Sequence, residues 1–143
     1  MSEPTPAPTR EQQLDVLAEI CAKFAAEQLE RHDEFYPFAA TIAGRQVQMV
    51  AAETTEERPA ADAVITLLAE GLRRQARAGE IDGCAIAADV RVVDGDRTRD
   101  ALRLDVEHRG APPITVFLPY TRPGGQVEFG DPLTEPGTVR AFG

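Results

Sequence analysis

The sequence predicts an α+β fold in which two helices pack on a five-stranded antiparallel sheet, in the order α-β-β-α-β-β-β, ahead of an irregular Pro/Gly-rich C-terminal tail. Three observations lead there. The run Ala101-Leu-Arg-Leu-Asp-Val-Glu-His-Arg109 alternates apolar and charged residues, the period of a half-buried strand. Two other segments carry apolar residues at spacings of three and four, the period of a helix with one buried face. Short clusters of Gly, Pro and Asp divide the second half of the chain into strand-length pieces.

Taken in order, Met1 to Pro8 has Pro at positions 4, 6 and 8 and no apolar pattern, so a disordered N-terminal tail is expected ahead of a single domain over residues 9–143. Thr9, with Gln12 three residues on, has the form of a capping box. Leu14, Leu17, Cys21, Phe24, Ala25 and Gln28, widened by Val16 and Ile20, then predict a helix from about Arg10 to His32. Glu11, Asp15, Glu19, Glu27 and Glu30 make its outer face acidic. Phe35 to Ile42 and Arg45 to Ala51 read as a hairpin about Ala43-Gly44, with Pro37 placed near the strand start or on an unpaired edge because it lacks an N–H. The polar stretch Glu53 to Arg58 connects to a second helix. Pro59 suits its first turn, Val64, Leu67, Leu68 and Leu72 form its stripe, Arg73, Arg74 and Arg77 complement its C-terminal dipole, and Gly79 suits the position after it.

Three further strands are expected at about Cys84 to Val93, Thr98 to Arg109 and Pro113 to Thr121, separated by Asp94-Gly-Asp96 and Gly110-Ala-Pro112. From Pro119 onward Pro and Gly are dense, so residues 119–143 should be largely irregular, with one short strand at Gln126 to Phe129.

With both helices on the apolar face, the opposite face stays polar, displaying Gln46, Gln48, Asp89, Arg91, Arg103, Asp105, Glu107, Arg109 and Thr115, with Phe117 as the apolar exception. A bare face and free edges require cover, which a homodimer or the C-terminal tail folding over would supply. The element order resembles roadblock-like and profilin-like domains, in which a five-stranded sheet carries helices on one side or both. The segments Glu34-Phe-Tyr-Pro-Phe-Ala39, Asp89-Val90, Glu107-His-Arg109 and Leu118-Pro-Tyr120 resemble those of a family of small bacterial α+β proteins, over roughly residues 10–121. The resemblance implies the fold and carries no activity onto any residue.

Composition narrows the function classes. A chain of 143 residues can bury roughly 68–70% of its unfolded surface and needs no staples. Fourteen of the 15 basic residues are Arg and Asn is absent, the imprint of a GC-rich genome. A net charge of −9 repels phosphate backbones and anionic membranes, so nucleic acid and membrane are not expected partners. No apolar run approaches the roughly 18 residues of a spanning helix, and a cytoplasmic location is expected. Cys21 and Cys84 lie in apolar contexts without metal or redox spacing and read as buried free thiols.

The candidate chemistry is sparse. Glu107-His108-Arg109 holds acid–base residue types, but neighbours on a strand point to opposite faces, so Glu107 does not orient His108. The simpler reading pairs Glu107 and Arg109 across strands and makes His108 a hydrogen-bonded residue at the rim of the core. Tyr36 and Tyr120 share the inward face of His108, which defines the candidate ligand pocket Tyr36, His108, Tyr120 with Glu107 nearby. His32, Asp33 and Glu34 are consecutive and do not converge on a metal, and no cofactor is expected. Gly124-Gly125 precedes no helix, Asp94-Gly-Asp96 lacks the remaining calcium ligands, and Ser2 is the single serine, which removes serine hydrolysis. The leading expectation is a non-enzymatic homodimeric interaction module; the alternative is a small-molecule binder or enzyme using the Tyr36, His108 and Tyr120 pocket.

Overall fold

A computed structural model of the chain describes residues 6–52, 54 and 57–143. Most of the expected N-terminal tail, and Glu53, Thr55 and Glu56 of the expected connection, lie outside the described residues. The first helix, α1 (Arg10–His32), starts at the capping box read from the sequence. The Gln12 N–H donates to Thr9 Oγ1 at 3.1 Å, and the Thr9 N–H donates to Gln12 Oε1 at 2.8 Å. Its buried residues, Gln13, Leu17, Cys21, Ala25 and Leu29, fall at every fourth position, a narrow stripe that faces the sheet. The helix ends at Asp33, whose left-handed backbone (φ 63°) returns its N–H to the Leu29 carbonyl.

Strands β1 (Phe38–Ala43) and β2 (Gln46–Val50) form the expected hairpin, turned at Gly44 with φ 59°, a conformation that favours glycine. Pro37 stands just before β1, so its missing N–H removes no ladder bond. Helix α2 (Ala61–Arg77) buries Val64, Leu68, Ala69 and Leu72 and is followed by Gly79 at φ 72°. Leu67, expected in the buried stripe, is 41% exposed. Two long hairpins complete the centre: β3 (Gly83–Asp94), β4 (Arg97–His108) and β5 (Ala111–Thr121), with a register shift between Val106 and His108.

The fold is α+β with two helices and an antiparallel sheet, but the sheet has seven strands rather than five. The order is β2-β1-β3-β4-β5, and the C-terminal region adds β6 (Glu128–Phe129) and β7 (Leu133–Pro136), both paired with β5. A 3-10 turn at Pro123–Gly125 precedes β6. The tail expected to be largely irregular is thus partly ladder: Tyr120 pairs Phe129, and Phe117 to Ile114 pair Leu133 to Pro136. Gly137 follows, its N–H bonded to the Pro113 carbonyl, at a point where a Cβ would lie 2.9 Å from the Ile114 backbone.

The helices do not share a face. Leu17, Cys21 and Ala25 of α1 pack on Phe38, Ala40, Ile42, Ala85, Ala87, Leu102, Leu104 and Val106. Val64, Leu68 and Leu72 of α2 pack on Ala39, Cys84 and Ile86, the alternate residues of the same strands, and therefore cover the opposite side. The physical reason is that Cys84 to Ala88 is buried without a break, as a central strand covered on both faces must be. The remainder of that second face carries the charged row of β4, and it is not bare either. Asp105 (7% exposed) and Glu107 (4% exposed) are buried beneath the C-terminal segment. Asp89, expected in the same row, lies opposite Leu102 and so belongs to the α1 face.

Candidate binding cavity

At the end of the sheet where β1 begins and β2 finishes, the chain leaves a cavity of about 730 Å³. Its wall is mainly apolar. The last turns of α1 contribute Phe24 and Gln28, the connection after α1 contributes Phe35 and Tyr36, and the strand ends contribute Phe38 and Met49. The left-handed turn at Asp33 ends the helix here and starts the connection, and the rings then hold one another. Phe24 meets Phe38 edge-on at 4.7 Å between centroids, and Phe35 meets Phe38 at 5.5 Å. Val50, Ala52, Pro59 and Val64 close the side towards α2. Tyr36 (52% exposed) and Met49 (42% exposed) stand at the opening. The charged groups of the wall are Glu34 and Glu57, with His32 beside them; no Lys or Arg lines it among the described residues.

A second, smaller cleft of about 280 Å³ adjoins Glu34 and is polar, with Asp89, Asp100, Tyr120 and Arg122 among its lining. The Tyr120 hydroxyl donates to Asp89 Oδ1 at 2.7 Å. Burial pushes the Asp89 carboxyl up against the lowering effect of that bond, while burial and the Asp89 carboxylate push the Tyr120 phenol well above its ordinary value. Arg122 is committed to Asp33 Oδ1 at 2.9 Å and to the Leu29 carbonyl.

The opposite end of the sheet is filled. His108 Nδ1 accepts the Gly110 N–H at 3.1 Å, so its Nε2 donates to Gln13 Oε1 at 2.7 Å. The Gln13 amide in turn donates to the Gly44 carbonyl and to Asp82 Oδ2, both at 2.9 Å. Asp82 also accepts the Gly44 N–H and faces Arg109 at 3.0 Å. The Gly44 N–H, then the Gln13 amide, hold the Asp82 carboxyl below its usual range. Burial lowers the His108 imidazole, with Asp82 opposing and Arg10 and Arg109 adding to burial. Behind it, on the other face, Glu107 Oε1 accepts the N–H groups of Arg140, Ala141 and Phe142 at 2.9 to 3.3 Å, and Oε2 accepts Ala141. Thr115 Oγ1 donates to Asp105 at 3.0 Å, and Arg140 Nε faces Asp105 at 3.7 Å.

The structure therefore separates the residues that the sequence grouped. Tyr36 and Tyr120 lie towards the same end of the sheet, but Tyr36 lines the large cavity and Tyr120 the small cleft. His108 lies seven positions along β4 from Ala101, the residue beside Tyr120's neighbour Pro119, which is roughly 23 Å at strand rise. Glu107 points to the face away from α1 and binds backbone. Among the described residues no group of three or more His, Cys, Asp or Glu is arranged to hold a metal ion, and no helix is long and apolar enough to cross a membrane. Cys21 and Cys84 are free and buried, and burial pushes the Cys21 thiol up to about 12. The residues that form the cavity carried one signal in the sequence. Four of the eight aromatic residues, Phe24, Phe35, Tyr36 and Phe38, fall within one short stretch that spans the end of α1 and the start of β1.

No family model matches this chain, and neither a curated protein nor a solved structure matches it.

Proposed function

We propose that this protein is a non-catalytic binder of an apolar small molecule, seated in the cavity between the end of α1 and the open end of β2. The observation that carries the reading is the cavity itself. Its volume of about 730 Å³ falls within the range of small-molecule sites, roughly 300–1,000 Å³, and its wall is mainly apolar, with four aromatic rings. The acid–base residues elsewhere support a structural role, since His108, Gln13, Asp82 and Glu107 spend their hydrogen-bonding capacity on one another and on backbone. Native mass spectrometry of the full chain with a panel of neutral aromatic and aliphatic compounds tests it. One adduct per chain, lost on Met49→Arg at the opening, supports the reading; a panel with no adduct, or adducts unchanged in that variant, overturns it.

A second reading keeps the homodimer, at an edge of the sheet rather than across its face. Among the described residues β2 pairs with β1 alone, which leaves its other edge for a second copy of the chain. A dimer that dissociates when Gln48→Pro is introduced supports it, and a strict monomer by light scattering removes it. Two free buried thiols suit a reducing, cytoplasmic setting, and the acidic balance argues against nucleic acid as partner.

A further inference from the structure

The charge of the cavity narrows what it takes. Resting on the binding reading above, we infer that the ligand is a lipophilic cation, an apolar body carrying an ammonium group that sits at the mouth against Glu34. Three observations combine. First, the charged groups of the wall are the carboxylates Glu34 and Glu57, and no Lys or Arg lines it among the described residues. Second, the guanidinium groups on the far side of Glu34 are directed elsewhere: Arg122 holds Asp33 at 2.9 Å, and Arg91 faces Asp100 at 3.7 Å. Third, Phe35 and Tyr36 follow Glu34 directly in the chain and their rings line the same cavity, so a cation near the carboxylate meets aromatic surface as well.

Helix dipoles do not decide the sign, because the C-terminal end of α1 and the N-terminal end of α2 both border the cavity and oppose each other. Side-chain charge therefore does. An anion such as a fatty acid would bring its carboxylate to Glu34 and Glu57 inside a chain of net charge −9, with no Lys or Arg among the described residues of the wall to receive it. An ammonium ion at the mouth keeps part of its hydration, which limits the desolvation cost that a deeper position would impose.

Isothermal titration of the full chain with three probes of one skeleton tests this: 4-phenylbutylammonium, 4-phenylbutan-1-ol and 4-phenylbutyrate at neutral pH. The expected order is ammonium, alcohol, carboxylate, with the ammonium about tenfold tighter than the alcohol. Glu34→Gln should bring the ammonium to within about twofold of the alcohol, since the carboxylate's charge is what separates the two probes. An alcohol that binds as tightly as the ammonium, or a carboxylate that binds more tightly, overturns the cation assignment and leaves the cavity reading standing. Absence of binding by all three overturns both.

Discussion

The two ends of the sheet contrast. At one end His108, Gln13, Asp82, Gly44 and Gly110 form a closed set in which donors and acceptors meet internally, and Glu107 does the same for the C-terminal backbone on the other face. At the other end four aromatic side chains border open space. The end where His108, Asp82 and Glu107 spend their hydrogen bonds internally holds the fold together, and the end that keeps open space is the one we propose takes a ligand. Residue types alone point the wrong way; space and unused capacity separate the two.

Substitutions that break the closed end should cost stability and leave ligand binding alone. The largest effect is expected for Glu107→Ala, which strips the acceptor from three consecutive backbone N–H groups and should lower unfolding free energy by about 3 kcal/mol in urea titration. Hydrogen exchange at Arg140 to Phe142 should accelerate in the same variant. Gln13→Ala comes next. It removes the group linking His108 to Asp82 and the Gly44 carbonyl, at a cost of about 2 kcal/mol by the same measurement.

The pH dependence sharpens the contrast because it belongs to the closed end. The folded imidazole of His108 lies below its ordinary value of 6.5, so the unfolded chain takes up the proton first as pH falls. Its contribution is complete above that value and is lost as pH drops towards the folded pKa, where protonation also ends Nδ1's acceptance of the Gly110 N–H. Asp82, held below 3.8, adds a second loss in more acid solution. Stability measured between about pH 7 and about pH 5 should decline, and His108→Gln should flatten that decline. The smallest effect on stability belongs to the open end. Phe35→Ala, at a half-buried ring, should cost about 1 kcal/mol yet weaken binding of an apolar compound by about tenfold, a split that no variant at the closed end should show.

Much of the fold was legible. The capping box at Thr9, the hairpin at Gly44, both helices and the three long strands follow from period and punctuation, with boundaries displaced by one to three residues at most strand ends. The side of the sheet chosen by α2 was written in Cys84 to Ala88, whose unbroken apolar run marks burial on both faces, although the alternation of Leu102 to Arg109 next to it suggests one bare face. That alternation is real; its Glu107 carboxylate is covered by backbone from residues 140–142, more than thirty positions away, and local pattern carries no such information. β7 was hidden for the same reason, since Pro132 precedes and Pro136 ends a strand that, among the described residues, pairs only with β5. The cavity was the least legible feature. Its aromatic residues cluster in sequence, but whether rings pack shut or leave room depends on three elements meeting at one corner.

The chain's lack of Trp allows ligand binding at the open end to be tested with one fluorophore. Tyr36→Trp places a single indole at the opening of the cavity, and titration with 4-phenylbutan-1-ol reads its emission directly. A saturable change fitting one site per chain, abolished by adding Met49→Arg and unaffected by His108→Gln, is expected. Emission that stays unchanged or drifts without saturation, or a response that vanishes with His108→Gln in a chain that remains folded, would contradict it.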